Sequence, residues 1–208
     1  MSRAGLQRDR IVHRALEIAD SEGLEAASFR RLAAEFGVTP MALYRHVADR
    51  GDLLGAMSDL VLTEIELLDD TADDWEQVLR TVLSSAVAAY TRHPAARALS
   101  LASRWSHGSL ALTDQLIRLL TAAGFTATEG LVIVQRLSDA ALAEVWTLPP
   151  DQPLPGLPAL DAALHQTPAS DPRMFGIDLV ITGARALAAK QHGTAPTSEN
   201  RRRRRQKP

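Results

Sequence analysis

Helix stop and start signals recur along this chain at helix-length intervals, and β-branched residues rarely cluster into anything that reads as a strand. From Leu6 to Glu22 the apolar residues Ile11, Ala15, Ile18 and Ala19 fall on one stripe of an amphipathic helix, and Gly23 is a natural stop. Ser28 can cap a second helix, FRRLAAEF, which ends at Gly37. Thr39 followed by Pro40 places a hydroxyl at the N-cap and proline at the first position of a third helix, running to about Val47. Asp49 caps a fourth, with Asp52 in its first turn where the helix dipole favours an acid, and it continues to about Leu68. The acidic patch Asp69–Asp74 then breaks it, and reads as a solvated, capping connector before it reads as a cation site.

Long helices with short breaks follow. Trp75–Arg92 ends before Pro94, Ala95–Leu101 is short, and Leu110–Ala123 stops at Gly124. Thr126–Thr147 opens on Thr126 and Thr128, with Glu129 completing a capping box. Within it LVIVQ, residues 131–135, has strand-like composition, but the helical run around it makes a buried helix the better reading. Five prolines between Pro149 and Pro158 exclude a helix there, a weak helix covers Leu157–Gln166, and Asp171 or Pro172 starts a last one through Ala189. The expected architecture is all-α: a three-helix head over residues 1–50, a larger helical body over 51–192 and a disordered basic tail over 193–208.

Composition removes whole classes of function. With no cysteine the chain has no disulfide scaffold, no thiol nucleophile and no Cys-ligated zinc. No apolar run approaches the ~20 residues of a membrane span, and MSRAGLQRDR lacks the apolar core of a signal peptide, so a cytoplasmic location is expected. The net charge of −2 hides an asymmetry: +1 over residues 1–50, −8 over 51–193 and +5 from Thr194 onward. Of 23 basic residues 21 are arginine, so the ends suit a polyanion and the middle does not.

Residues 28–47 have the proportions of a helix-turn-helix. Small Ala33 lets two short helices approach, Gly37 frees the turn, and Val38, Leu43 and Val47 pack the second helix back onto the first. The opposite face carries Pro40, Met41, Ala42, Tyr44, Arg45 and His46, which stability alone does not explain. Met41 or Ala42 suits a thymine methyl and Arg45 a guanine edge, with Thr39 at the same helix start. Tyr44, His46 and Arg50 are placed for phosphates, as are Ser28 and Arg30 at the preceding helix. For Tyr44 or His46 alone, covering a bundle end is the simpler role; the joint arrangement points to DNA.

Over IVHRALEIADSEGLEAASFRRLAAEFGVTPMALYRHVADRGDLLGAM, residues 11–57, the sequence resembles the tetracycline-repressor (TetR) family. The matching features are Ala15 to Gly23, Ser28-Phe-Arg-Arg-Leu-Ala, Gly37-Val38, Leu43-Tyr44-x-His46-Val47 and Leu53-Leu54-x-Ala56. The resemblance implies a homodimeric transcriptional regulator, usually a repressor, whose recognition helices enter successive major grooves of a palindromic double-stranded operator. It further implies a helical body that binds a small apolar effector, moving the fourth helix and releasing DNA. Asp74-Trp75, His93-Pro94 and Ala123-Gly124-Phe125 look similar to the C-terminal domain of the tetracycline-repressor branch itself. Where that branch has its His and Asn drug contacts this chain has Glu66 and Val82, which argues against tetracycline and a metal-assisted effector. No cofactor and no metal are expected.

In the body, Trp105, His107, Gln115, Arg136, Trp146 and Met174 stand out among many Ala and Leu as candidates to line an effector pocket, against ordinary packing or exposure of each. Dimerisation is expected through Thr126–Thr147 and Pro172–Ala189, where Ala140, Ala141, Gly183 and Ala184 permit close approach in a four-helix bundle. Arg201–Arg205 with Lys207 reads equally as a solvated end and as a non-specific grip on DNA. Two other functions compete. An enzyme is disfavoured, because six scattered His accompany no HExxH, GxSxG or phosphate loop. The second is a DNA-binding regulator without a ligand, its body serving only dimerisation or protein contact.

Overall fold

The caps written into the sequence divide the chain into helices, and the computed structural model describes residues 6–66, 74–103, 106–143 and 171–193. The helices are α1 (Arg8–Glu22), α2 (Phe29–Phe36), α3 (Pro40–Leu43), α4 (Arg50–Leu62), α5 (Trp75–Arg92), α6 (Ala96–Ala102), α7 (His107–Ala122), α8 (Ala127–Ala141) and α9 (Pro172–Gly193), with a 3₁₀ turn at Leu24–Ala26. The fold is all-α. LVIVQ lies inside α8. The proline-rich segment, the weak helix at Leu157–Gln166, Asp69–Asp73 and the tail from Thr194 lie outside the described residues.

Side-chain oxygens start the helices as expected. Ser28 accepts from the Arg31 amide, Asp49 from Asp52, Asp74 from Glu76 and Gln77, and Thr126 and Glu129 form the reciprocal box. One expected cap is absent: the exposed Thr39 hydroxyl makes no hydrogen bond at α3, which relies on Pro40 to preset its first turn.

Five helix termini differ from expectation by three residues or more. α3 stops at Leu43 instead of about Val47, because Tyr44 sits at ψ −12° and the chain tightens, His46 N–H donating to Leu43 O at 2.8 Å. α4 stops at Leu62 instead of about Leu68: the Thr63 hydroxyl takes the Leu60 carbonyl at 2.6 Å and amides 63–65 bond three residues back. α7 starts three residues before Leu110 because Ser106, not a later residue, caps it. α8 ends at Ala141, short of Thr147, and α9 runs on past Ala189 to Gly193.

One contiguous apolar core organises the packing. Ile11, Ile18, Leu32 and Leu43 are fully buried at its N-terminal end, Leu53 and Met57 in α4, and Leu79, Leu99, Leu120, Leu137, Ile177 and Ile181 in the later helices. Each such side chain contributes on the order of 1.5–3 kcal/mol. Trp75 meets Phe125 edge to face at 5.5 Å, closing the body at the start of α5 and the α7–α8 turn. α4 makes this core continuous, packing on α1 and also on α6 and α7. Asp59 of α4 accepts the Gly108 amide at 3.0 Å, so α4 caps the first turn of α7 from outside.

Candidate nucleic-acid interface

The exposed face at residues 39–46 is a consequence of how its buried face is anchored. Gly37 takes the left-handed conformation, φ +64° and ψ +34°, and the Val38 amide returns to the Ala33 carbonyl at 3.0 Å. The chain leaves α2 at a sharp angle, and Leu43 and Val47 sink fully into the head. Pro40, Met41, Tyr44 and Arg45 therefore face solvent, Met41 at 71% exposure, while Ala42 and His46 are half-buried beside them.

Tyr44 does not lie free. Its ring stacks on Phe29, the first residue of α2, at 4.5 Å and 7°. The stack seats the Tyr44 ring against the first turn of α2, whose neighbouring residues are Ser28 and Arg30, and Phe29 is a contact that sequence reasoning missed. Arg8 is another. Its guanidinium donates twice to Asp52, at 2.6 and 2.8 Å, and once to the His46 carbonyl at 2.9 Å, clamping the end of the segment 39–46 to α1 and α4. Asp52 also accepts the Ala48 amide at 2.7 Å. Held by Arg8 first and Ala48 second, its carboxyl is depressed to about 2.

The head's arginines fall into two groups. Arg14 pairs with Glu17 and Glu35, Arg31 with Glu22 and Glu35, and Arg50 with Glu25 at 2.7 Å. Arg30 and Arg45 are exposed and make no ion pair with any described residue. Burying phosphate against an unpaired guanidinium releases counterions without first breaking a protein contact. Of the sequence candidates, Arg30 and Arg45 are free to do this, and Arg50 must leave Glu25.

The effector candidates do not come together in the same way. Trp105 and Trp146 lie outside the described residues. His107, exposed at the start of α7, borders an open groove of about 720 Å³ shared with Arg8, His13, Asp52 and Thr63 at the seam of head and body. Gln115 is half-buried two turns later. Arg136 is exposed and pairs with Asp139 at 3.0 Å, and Met174 lies with its sulfur 4.0 Å from the Ser84 hydroxyl of α5. The Glu66 amide donates to Ser85 Oγ at 2.9 Å, and Val82, one turn before Ser85, is buried. An acid on the chain after α4 and an aliphatic side chain on α5 thus stand where the resemblance puts drug contacts.

The last two helices are apolar on two faces. Ile133, Val134 and Leu137 of α8 and Ile177, Ile181 and Ala184 of α9 are buried within the chain. Leu131 and Val132 of α8 and Phe175, Leu179 and Leu187 of α9 are exposed, Phe175 at 70% and Leu179 at 65%. Phe175, Leu179, Gly183 and Leu187 recur every four residues as one outward stripe, and a Cβ on Gly183 would meet nothing within 4 Å. Ala141 and Ala184, expected at this surface, instead pack inward. No described helix is long and apolar enough to cross a membrane, and among the described residues no three His, Asp or Glu converge to hold a metal ion.

Residues 11–57 match the family model of bacterial regulatory proteins, tetR family. The chain is 44% identical over 90 residues to the HTH-type transcriptional repressor DrrR1 of Streptomyces coeruleorubidus, a match covering 43% of this chain and 33% of that protein. It is 30% identical over 136 residues to the class C tetracycline repressor protein of Escherichia coli, covering 64% of this chain and 62% of that one. It thus spans about a third of the first relative and less than two thirds of the second. Among solved structures, ActR, a TetR family protein of Streptomyces coelicolor in complex with actinorhodin, superposes with a TM-score of 0.63 at 26% identity, over 89% of this chain and 99% of that one.

Proposed function

Because the chain is a TetR-family regulator, with a C-terminal region similar to that of the tetracycline repressors, we propose that it is a homodimeric repressor that binds a palindromic operator and leaves it when a small apolar effector enters the body. The observation that carries this reading is the solvent-facing surface of Met41, Tyr44 and Arg45 on a segment whose other face is fully buried. Met41 or Ala42 meets a thymine methyl and Arg45 a guanine edge in the major groove, with Thr39 and Pro40 at the same helix start, while Ser28, Arg30, Tyr44, His46 and Arg50 hold the flanking backbone.

The exposed stripe of α9 with Leu131 and Val132 of α8 supplies the dimer contact, a second copy covering apolar area that one copy leaves wet. Gly183 in that stripe lets the two backbones approach. The effector reading draws support from ActR, which was solved with actinorhodin bound, and from α4, which touches both head and body. A shift of α7 reaches α4 through the Asp59–Gly108 contact, and α4 carries it to α1.

Operator affinity of Arg45→Ala in a folded dimer tests the reading. The expected loss is about 1–3 kcal/mol, roughly tenfold to more than a hundredfold, with relaxed preference at one base pair per half-site. Unchanged affinity and preference would remove the recognition segment from the interface. A thermal-shift screen of lipophilic molecules tests the effector: a ligand that raises the melting temperature and weakens operator binding supports release, and one that stabilises without weakening it argues against.

A further inference from the structure

Head and body meet at a second place besides α4. Asp20, near the end of α1, accepts the Ala95 amide at the start of α6 with one carboxylate oxygen, at 3.0 Å. Its other oxygen lies 2.7 Å from Nδ1 of His93, in the corner between α5 and α6. On the far side of the ring, Nε2 of His93 lies 3.0 Å from Oε1 of Glu64, just beyond α4. The second oxygen of Glu64 accepts from Nε of Arg92 at 2.9 Å. The side chains of His93 and Asp20 are 17% and 18% exposed, so water does little to dilute these contacts.

A neutral imidazole has one N–H and one lone pair. In either tautomer one ring nitrogen of His93 would then direct a lone pair at a carboxylate oxygen 2.7 or 3.0 Å away. Only the imidazolium donates in both directions. The charges facing the ring agree: Asp20 on α1 and Glu64 after α4 are acids, Arg92 on α5 is the neighbouring cation, and α6 contributes the Ala95 amide, its first charged residue Arg97 being exposed. Two carboxylates against one guanidinium leave one negative charge, which a protonated His93 cancels.

We propose that Asp20, His93 and Glu64 form a proton-operated latch that fixes the angle of the DNA-binding head on the body, closed while the His93 imidazole is doubly protonated and loosened when it loses a proton. Asp20 is the part of the head that the latch holds, and it sits at the opposite end of α1 from the Arg8 clamp. α1 is therefore pinned at both ends, once to the recognition segment and once to the body. Opening the second pin lets α1 pivot while α4 still connects the two parts. Burial of the ring opposes its charge, but the bonds to Asp20 and Glu64 outweigh it and raise His93 above its ordinary value. Glu64 is lowered in turn, by His93 first and Arg92 second. A raised histidine stabilises the closed form fully below its unfolded value near 6.5, and that contribution is lost as pH rises through the folded value.

The effect of the latch on DNA rests on the proposed repressor reading; the latch itself does not, so the test separates them. Because the chain has no cysteine, spin labels on Ala34→Cys of α2 and Ala88→Cys of α5, both exposed, report the head-to-body distance within one chain when mixed with excess unlabelled protein. The expected result is one narrow distribution at about pH 6 that broadens or shifts at about pH 8.5, with His93→Gln giving the high-pH distribution at both. A distribution indifferent to pH and to His93→Gln, or a pH response that survives the substitution, would overturn the latch. Should His93→Gln fail to fold, ¹⁵N shifts of His93 in the unaltered chain decide: both ring nitrogens protonated at neutral pH support the latch, a neutral tautomer contradicts it. Operator affinity measured alongside is expected to fall about threefold to tenfold more in the unaltered chain than in His93→Gln over the same pH range. A distance response without that fall leaves the latch standing and removes the DNA reading.

Discussion

An arginine in the head is useful to DNA in proportion to how little the protein already asks of it. Arg45 and Arg30 meet no described acid, whereas Arg50 is held by Glu25, itself 91% exposed. An exposed pair of this kind contributes little to stability, roughly 0–1 kcal/mol. Glu25→Gln is therefore expected to leave the melting temperature unchanged within a degree or so while strengthening operator binding and steepening its salt dependence by about one phosphate per subunit. Titration of operator at several salt concentrations checks this, and an unchanged slope would show that Arg50 does not reach the backbone. At this scale the outward position of Pro40, Met41, Tyr44 and Arg45 was legible in the sequence, because Leu43 and Val47 four apart fix which face turns inward; the half-burial of Ala42 and His46 was not. The duties of Arg8, Phe29 and Glu25 were not. Arg8 meets Asp52 across 44 positions, Arg50 meets Glu25 across 25, and a pairing that distant has no local periodicity to reveal it.

Helix starts were easier to read than helix ends, for a reason of chemistry. A start is signalled by a side chain that bonds to its own next turn, and Ser28, Asp49, Asp74 and Thr126 all do so. An end is decided by competition for the last carbonyls, as when the Thr63 hydroxyl takes that of Leu60 and ends α4 early. Gly37 and Gly108 show two different demands for glycine. At Gly37 a Cβ would meet nothing within 4 Å, yet φ is +64°, so Gly37→Ala is expected to cost about 1–2 kcal/mol through the backbone alone. At Gly108 the backbone is ordinary, but a Cβ would sit 2.7 Å from the Asp59 carboxylate. Gly108→Ala displaces that acceptor from the Gly108 amide, an expected loss of about 1 kcal/mol after the gain in helix propensity. Thermal unfolding checks both. Gly108→Ala has a second signature that Gly37→Ala lacks: effector binding loses part of its power to release the operator, because α7 no longer grips α4.

Across the molecule the net charge of −2 sums a head at +1, a body at −8 and a tail at +5. An acidic body repels DNA from every surface except the one that reads it, which favours specificity over bulk affinity. The proposed dimer would use the outward stripe of Phe175, Leu179 and Leu187, which leaves three large apolar side chains exposed on one face of α9. Leu179→Arg is expected to convert the dimer to monomer in sedimentation and to weaken operator binding at least tenfold, since each half-site is then bound alone. A dimer that persists would place the interface elsewhere. Two helices with apolar residues on two faces were legible in the sequence; which small residues point outward was not, because Ala141 and Ala184 are spent on packing α8 and α9 within one chain. Selection of bound DNA from a random pool by the full chain tests the central claim most directly. The expected outcome is an enriched palindrome whose half-site centres lie about one helical turn or a multiple apart, with one conserved base pair in each half lost when Arg45→Ala is used instead. No enrichment, or a motif that Arg45→Ala leaves intact, would contradict it.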